Sequence, residues 1–261
     1  MNSKYTIALA SFIATMMLFV PLANAENKGS FKSFFTENID YQINAQFSIG
    51  GTTPLGLPRE IRKIESYNPT LQLGLGLHAT KWLCDSKDWG VRVGATAQAK
   101  GMKTDARVKN YFTEVIQDNS VIRGYYTGMV NTEVKNTYIV IPVSLVKSLS
   151  ESVNLYGGLN VAFLIDSGFS GYVSDGYLRE GTPTGTKIPF EGEGRGPYDF
   201  SDQVRPFQWG MQVGADWALK RNLTLFTHLD YDFNDVFKSD FSAITFSLHN
   251  LYLNIGFGYR F

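Results

Sequence analysis

The 261 residues carry 24 basic and 24 acidic side chains, 14% aromatic residues, 25 glycines and a single cysteine. The balanced charge and the 44% hydrophobic content exclude the basic footprint of a nucleic-acid binder and wholesale disorder. With Cys84 alone, neither an intramolecular disulfide nor a cysteine-cluster metal site can form.

Lys4 precedes an apolar run from Tyr5 to Val20, then Pro21, Leu22 and the small-residue pattern Ala23-Asn24-Ala25. This is the pattern of an export signal, residues 1–25, cleaved before Glu26. The run is short for a membrane span of roughly 20 residues, and no cysteine follows it for lipid attachment. Losing Lys4 with the leader leaves one acidic group in excess. No later apolar stretch approaches the length of a membrane-crossing helix, so none is predicted. Residues 26–38 carry Phe31, Phe34 and Phe35. They form an N-terminal periplasmic segment, either a capping tail or a short amphipathic helix that plugs a mouth or docks a partner.

From Asp40 onward apolar residues recur at every second position, the period of strands with unlike faces. Tyr41, Ile43, Phe47 and Ile49 oppose Gln42, Asn44, Gln46 and Ser48 in the first strand. Leu71, Leu73, Leu75 and Leu77 mark the second, and Trp89, Val91, Val93, Ala95 and Ala97 the third. The fourth carries Ile139, Ile141, Val143 and Leu145, and the fifth runs from Val153 to Ile165. Phe207, Trp209, Met211, Val213 and Trp217 mark the sixth, Leu223 to Phe233 the seventh, and Leu251 to Phe261 the eighth. Each approaches the 9 to 11 residues, roughly, that a tilted strand needs to cross a bilayer.

The connections alternate in length. Residues 50–66, 101–125 and 168–205 are long and 234–242 intermediate, whereas 81–88, 148–152 and 219–222 are short. Short turns at one end and long loops at the other are the pattern of an outer-membrane barrel with both termini on the short-turn side. A soluble lipocalin-like barrel would show the same alternation with the apolar face inward. The export signal, the sorted loops and the aromatic residues near strand ends (Trp89, Trp209, Trp217, Tyr231, Tyr259) favour lipid outside. The expectation is an all-β fold over 39–261: an eight-stranded antiparallel transmembrane β-barrel with short periplasmic turns and long extracellular loops. Its lumen is narrow enough to be filled by side chains.

The final strand alternates Leu253, Ile255, Phe257, Tyr259 and Phe261. This is similar to the C-terminal signal that hands outer-membrane barrels to their assembly machinery. Thr137-Tyr138-Ile139-Val140-Ile141-Pro142-Val143-Ser144-Leu145, a short turn, then Leu155-Tyr156-Gly157-Gly158-Leu159 resembles the strand-turn-strand core of the PorT-like outer-membrane β-barrel family. So does Asn222-Leu223-Thr224-Leu225 leading into Leu229-Asp230-Tyr231-Asp232-Phe233. The resemblance covers roughly 39–261 and implies a barrel in the outer membrane of a Gram-negative cell, with a link to protein secretion. The loops 101–125 and 168–205 match no family pattern. Pro142 is expected at a bulge or strand irregularity, because proline cannot donate to a ladder.

Arg92, Lys100, Asp216, Asp230, Asp232 and Arg260 fall on the lumen rows, where charge must be paired. They are read as a structural polar network that fills the barrel. Asp230, Asp232 and Asn234 open like a calcium loop, but Asp235 and Phe241 stand where Gly and Glu are required. Gly74-x-Gly76-x-x-Ala79 lies within a strand, and Gly192, Gly194 and Gly196 lack the Lys and Ser/Thr of a phosphate loop, reading as flexible loop. His78 and His228 are lumen-facing; Ser247 and His249 sit near the outer end, on the lipid-facing row and without a carboxylate to orient them. Cys84 lies in a short turn beside Asp85, with nothing to activate it.

The sequence therefore calls for no catalytic group, cofactor or metal, and for no nucleic-acid partner. The expected partners are outer-membrane lipid, the barrel-assembly machinery during biogenesis, and proteins of an envelope or secretion complex. An alternative is a surface adhesin or ligand-binding barrel that uses loop 168–205, with Phe169, Tyr172, Tyr177, Phe190, Tyr198 and Phe200 as anchors. A small pore past Arg92, Asp230 and Arg260 and an outer-leaflet lipid enzyme are weaker readings.

Overall fold

A computed structural model of the chain describes residues 37–117, 120–192 and 194–261. The expected export signal and nearly all of the segment 26–38 lie outside the described residues. The strands, in chain order, are β1 (Ile39–Thr53), β2 (Ile61–Asn68), β3 (Gln72–Trp82), β4 (Trp89–Gln117), β5 (Ser120–Ser150) and β6 (Val153–Asp166). They continue with β7 (Phe169–Glu180), β8 (Lys187–Phe190), β9 (Gly196–Asp199), β10 (Phe207–Ala218), β11 (Leu223–Asp232) and β12 (His249–Arg260).

Eight of these close a ring of antiparallel ladders in the order β1-β3-β4-β5-β6-β10-β11-β12, and β12 returns to β1. The ring contains the eight strands expected from the alternation. The seam runs from Gln42 opposite Arg260 to Thr53 opposite His249. Closure matters because an unpaired backbone edge is not tolerated in hydrocarbon.

The apolar rows point outward. Leu71, Leu73, Leu75 and Leu77 are each more than half exposed, and Leu145, Leu159, Val213 and Phe257 behave likewise. Gln42, Asn44, Gln46, Ser48, Gln98 and Asn254 are buried in the lumen. A soluble barrel would reverse this assignment, so the outward side is the lipid side. Trp89, Trp217, Tyr41 and Tyr259 ring the short-turn end, and Phe163, Phe207, Trp209 and Tyr231 the other, as aromatic residues do at bilayer interfaces.

Strand length separates two kinds of element. β3, β10, β11 and β12 have 11, 12, 10 and 12 residues, enough to cross a bilayer. β4 and β5 have 29 and 31 and stay paired to Gln117 and Ser120. The stretch expected as a long loop at 101–125 is therefore a hairpin projecting beyond the barrel. Most of 168–205 is also strand: β7 pairs the outer part of β5, and β8 and β9 pair β7. Gly196 opens β9, while Gly192 takes a left-handed φ of 64° in the preceding turn. Both corrections have one cause. These strands bury only one face, against an apolar core of their own, and so lack the lipid-facing rows that mark the barrel.

That core holds Val108, Tyr111, Tyr126, Val130 and Val134 of the hairpin, Phe169, Val173 and Leu178 of β7, and Val236, Phe237, Ile244 and Leu248 of the β11–β12 connection. Phe237 packs edge-on against Phe169 at 4.7 Å and lies 4.4 Å from Phe241, between ring centres. Pro142 sits at an irregularity of the ladder that is not a bulge. The β4–β5 ladder passes from Val93 opposite Val143 to Thr96 opposite Val140 without a shift in register. The pairing merely lapses at Gly94 and Ala95, where the missing N–H would have donated.

Candidate functional site

The lumen is filled at two levels. Near the short-turn end Arg92 of β4 donates through Nη2 to Asp216 of β10 at 2.5 Å and through Nε to Thr80 at 3.0 Å. Its guanidinium also lies 4.7 Å from the centre of the Tyr156 ring. Toward the outer end Lys100 pairs with Asp232 at 3.0 Å, its ammonium between the rings of Tyr138 and Tyr252. Between the two levels Asn254 is the hub. Its Oδ1 accepts from Gln46, Ser48 and Gln98, and its Nδ2 donates to Asp230 at 2.9 Å. Every charge in these pairs is buried, and each has an opposite charge or hydrogen-bond donors beside it, as a buried ion requires.

Arg260 does not join this interior network. As the last residue of β12 it lies opposite Gln42, and it lines the short-turn mouth with Asp40, Trp82 and Asn154. Asp40 closes that mouth, accepting from Trp82 Nε1 at 2.8 Å and from Lys87 Nζ at 3.0 Å. Cys84 is exposed in the adjacent turn. His78 meets Asn44 at 2.8 Å and His228 meets Tyr156 at 3.2 Å, both within the lumen. Nδ1 of His249 lies 3.1 Å from the Asp232 carbonyl, and the ring stacks on Tyr231, while Ser247 is exposed.

Outside the barrel, four of the six aromatic residues expected as surface anchors serve the module's own core: Phe169, Phe190, Tyr198 and Phe200 are buried. Burial holds the Tyr198 hydroxyl protonated well beyond the ordinary phenol range. It lies 2.7 Å from Thr132 Oγ1 and donates to the Asn131 carbonyl at 2.7 Å. Tyr172 and Tyr177 remain on the surface and are flanked by cations. Arg195 lies 4.4 Å from the first ring, and Lys187 and Arg179 lie 4.5 and 5.6 Å from the second.

One cavity was not foreseen from the sequence. β1 keeps its ladder with β12 up to Thr53 but with β3 only up to Ser48. Above that level β2 takes the vacated edge of β4, from Asn68 opposite Lys103 to Ile61 opposite Val108. Between β2 and the top of β1 no ladder forms among the described residues; Tyr67 OH bridges them by donating to the Gly50 carbonyl at 2.7 Å. Behind this bridge lies an apolar cavity of about 320 Å³. Two register shifts in β2 bring Ile61, Ile64 and Tyr67, spaced by three, onto its walls. That threefold spacing in 61–67 was the available signal, but it fits neither the strand nor the loop pattern.

The family model described as outer membrane protein beta-barrel domain matches residues 24–238. No curated protein matches the chain. Among solved structures it is similar to Ail, the attachment invasion locus protein of Yersinia pestis, crystallised with the heparin analogue sucrose octasulfate. That match has 14% identity and a TM-score of 0.38, over 85% of this chain and 97% of the other. OprG of Pseudomonas aeruginosa gives 14% and 0.37 over 85% and 95%, and Neisserial surface protein A gives 12% and 0.36 over 86% and 98%. With the family model spanning most of its length and a closed ring that turns its apolar rows outward, the chain belongs to the outer membrane protein β-barrel domain family, and its place is the outer membrane.

Proposed function

We propose that this protein is a non-enzymatic barrel that holds a folded β-module at the cell surface as a contact platform for a protein of an envelope or secretion complex, as in PorT-like barrels. The observation that carries this reading is the separate apolar core of the module. Mobile surface loops do not need such a core, whereas a platform that must keep a fixed shape does. The lumen supports the same reading, because Arg92–Asp216 and Lys100–Asp232 cross it at two heights and leave side chains where a conducting path would run.

The working face is the one bearing Tyr172 and Tyr177 with Arg179, Lys187 and Arg195, a mixed aromatic and basic surface suited to an acidic partner. The adhesin reading uses this same face and differs only in where the partner comes from. A photo-crosslinking amino acid at Tyr177, and a control at Leu149 at the short-turn end of β5, separates the two in native membranes. Envelope or secretion proteins captured from position 177 support the proposal. Capture only of added host or matrix material supports the adhesin, and neither kind of capture removes the contact role.

A further inference from the structure

The floor of the rim cavity belongs to the lipid-facing surface. Along the β1–β12 seam the outward pairs are Ile43 with Tyr259, Ala45 with Phe257, Phe47 with Ile255 and Ile49 with Leu253. The next pair up, Gly51 with Leu251, lines the cavity. The apolar row that faces the bilayer therefore runs straight into the cavity. Gly51 keeps it open at this point, because a Cβ there would lie 2.5 Å from the Met102 sulfur. The opposite wall carries Ile64, Ala106 and Val108.

The flank is positively charged. Residues 59–68 and 103–109 hold Arg59, Arg62, Lys63, Lys103, Arg107 and Lys109 against Glu60, Glu65 and Asp105; Glu65 pairs with Lys63 and Arg107, and Glu133 of β5 with Lys103. Val108 lines the apolar cavity on one side and, on the other, a shallow depression that it shares with Arg62, Arg107 and Lys109, and with Asp175 and Tyr177 of β7 at its far edge. An apolar cavity continuous with the bilayer and bordered by cations fits an amphiphile with an anionic head. At about 320 Å³ it lies at the small end of ligand sites, which run from roughly 300 to 1,000 Å³, the size for one chain and not for a whole lipid.

We propose that this cavity takes one acyl chain of an anionic lipid of the outer leaflet, which enters from the bilayer past Gly51 and Leu251 while its head group lies against the Arg62, Arg107 and Lys109 flank. The inference goes beyond the contact role: the cavity walls use none of the residues on that face, and the depression meets it only at Tyr177.

The test uses the full chain in lipid nanodiscs containing phosphatidylglycerol with a diazirine on one acyl chain, irradiated and mapped by peptide mass spectrometry. The expected result is label on the peptides 61–68 and 102–108 as well as on the outward rows of the barrel. Gly51→Leu and Ala106→Phe, two independent ways of filling the space, should each cut the cavity label about tenfold. Label on Leu75 and Leu145 stays constant and shows that each variant is inserted. Cavity label that survives both substitutions, or label confined to the outward rows, overturns the site. Label obtained only with a free diazirine fatty acid added from water overturns the membrane source, and equal label from phosphatidylcholine overturns the head-group contact.

Discussion

Asn254 touches three strands at once. Gln46 and Ser48 on β1, Gln98 on β4 and Asp230 on β11 all bond to its amide. The ion pairs on either side follow the usual rule for buried charge, in which removing one partner costs more than removing both. Asp216→Asn, which leaves the Arg92 guanidinium unbalanced, should destabilise the barrel by about 3–5 kcal/mol. The double substitution Arg92→Met with Asp216→Leu should recover most of that loss, because a packed apolar pair needs no compensating charge. Urea unfolding from lipid vesicles, followed by tryptophan fluorescence, measures both; equal losses in the single and double variants would refute the pairing argument. At this scale the sequence was informative about five of the six lumen charges, since row parity alone brings Arg92, Lys100, Asp216, Asp230 and Asp232 inside. It misplaced Arg260, because parity gives the face of a residue and not its height, and Arg260 lies beyond the closed lumen. Asn254 was missed as a hub because three of its four partners, Gln46, Ser48 and Gln98, lie 156 or more residues away in the chain.

The elements differ in which face is apolar, and the change is visible along a single strand. From Trp89 to Ala99 in β4 the outward residues are apolar and the inward ones polar. From Met102 on, the inward residues Met102, Ala106 and Val108 are apolar, and the outward Lys103, Asp105 and Arg107 are charged. β5 makes the same inversion, with Val130 and Val134 inward and Glu133 and Lys135 outward. The inversion marks the outer membrane surface: below it lipid covers the outside, above it water does. A search for one continuous phase loses the strand at Gly101, which is why the hairpin looked like a loop. β2 is held above this boundary by Asp105, which accepts from Ser66 Oγ and Asn131 Nδ2, both at 2.6 Å. The Ser66 bond first and the Asn131 bond second hold its carboxyl below the ordinary aspartate range. This anchoring is complete above the unfolded pKa of about 3.9 and is lost as pH falls through the lowered folded value. Glu65, lowered chiefly by its bond from Lys63, and Glu133, lowered chiefly by Lys135, lose their partners in the same acid range. A spin label at Arg62 should therefore be restrained at neutral pH and become mobile in acid, and Asp105→Ala should mobilise it at every pH; a label indifferent to both would show that β2 is held by its ladder alone.

The whole molecule is two cores on one ring of strands, a polar one within the membrane and an apolar one above it. They share β4 and β5 but bury different residues, and so should separate experimentally. Replacing 102–134 and 169–204 with short turns should leave a barrel whose electrophoretic mobility still changes on heating, while cross-links from the surface face disappear. Loss of the heat-dependent shift would mean that the module is needed for the ring to close. The sequence was most informative at this scale about the ring, because hydrocarbon demands the same outward row of all eight strands. It was silent about the module, whose core is assembled from β4, β5, β7, β8, β9 and the connection between β11 and β12.

The seam between β1 and β12 joins the two ends of the described chain. Ser48 bonds to Asn254 across 206 positions, and no shorter path through the ring substitutes for that ladder. Loop-closure entropy for such a contact is lost before any bond repays it, so the seam is the natural last step in folding and a slow one. Until it forms, two rows of backbone donors and acceptors stand open, each the template for pairing with a second unfinished copy. The hazard in the life of this molecule thus lies in the interval before the ends meet. An assembly factor that grips the β12 edge during that interval would act by keeping one template occupied until the correct partner arrives.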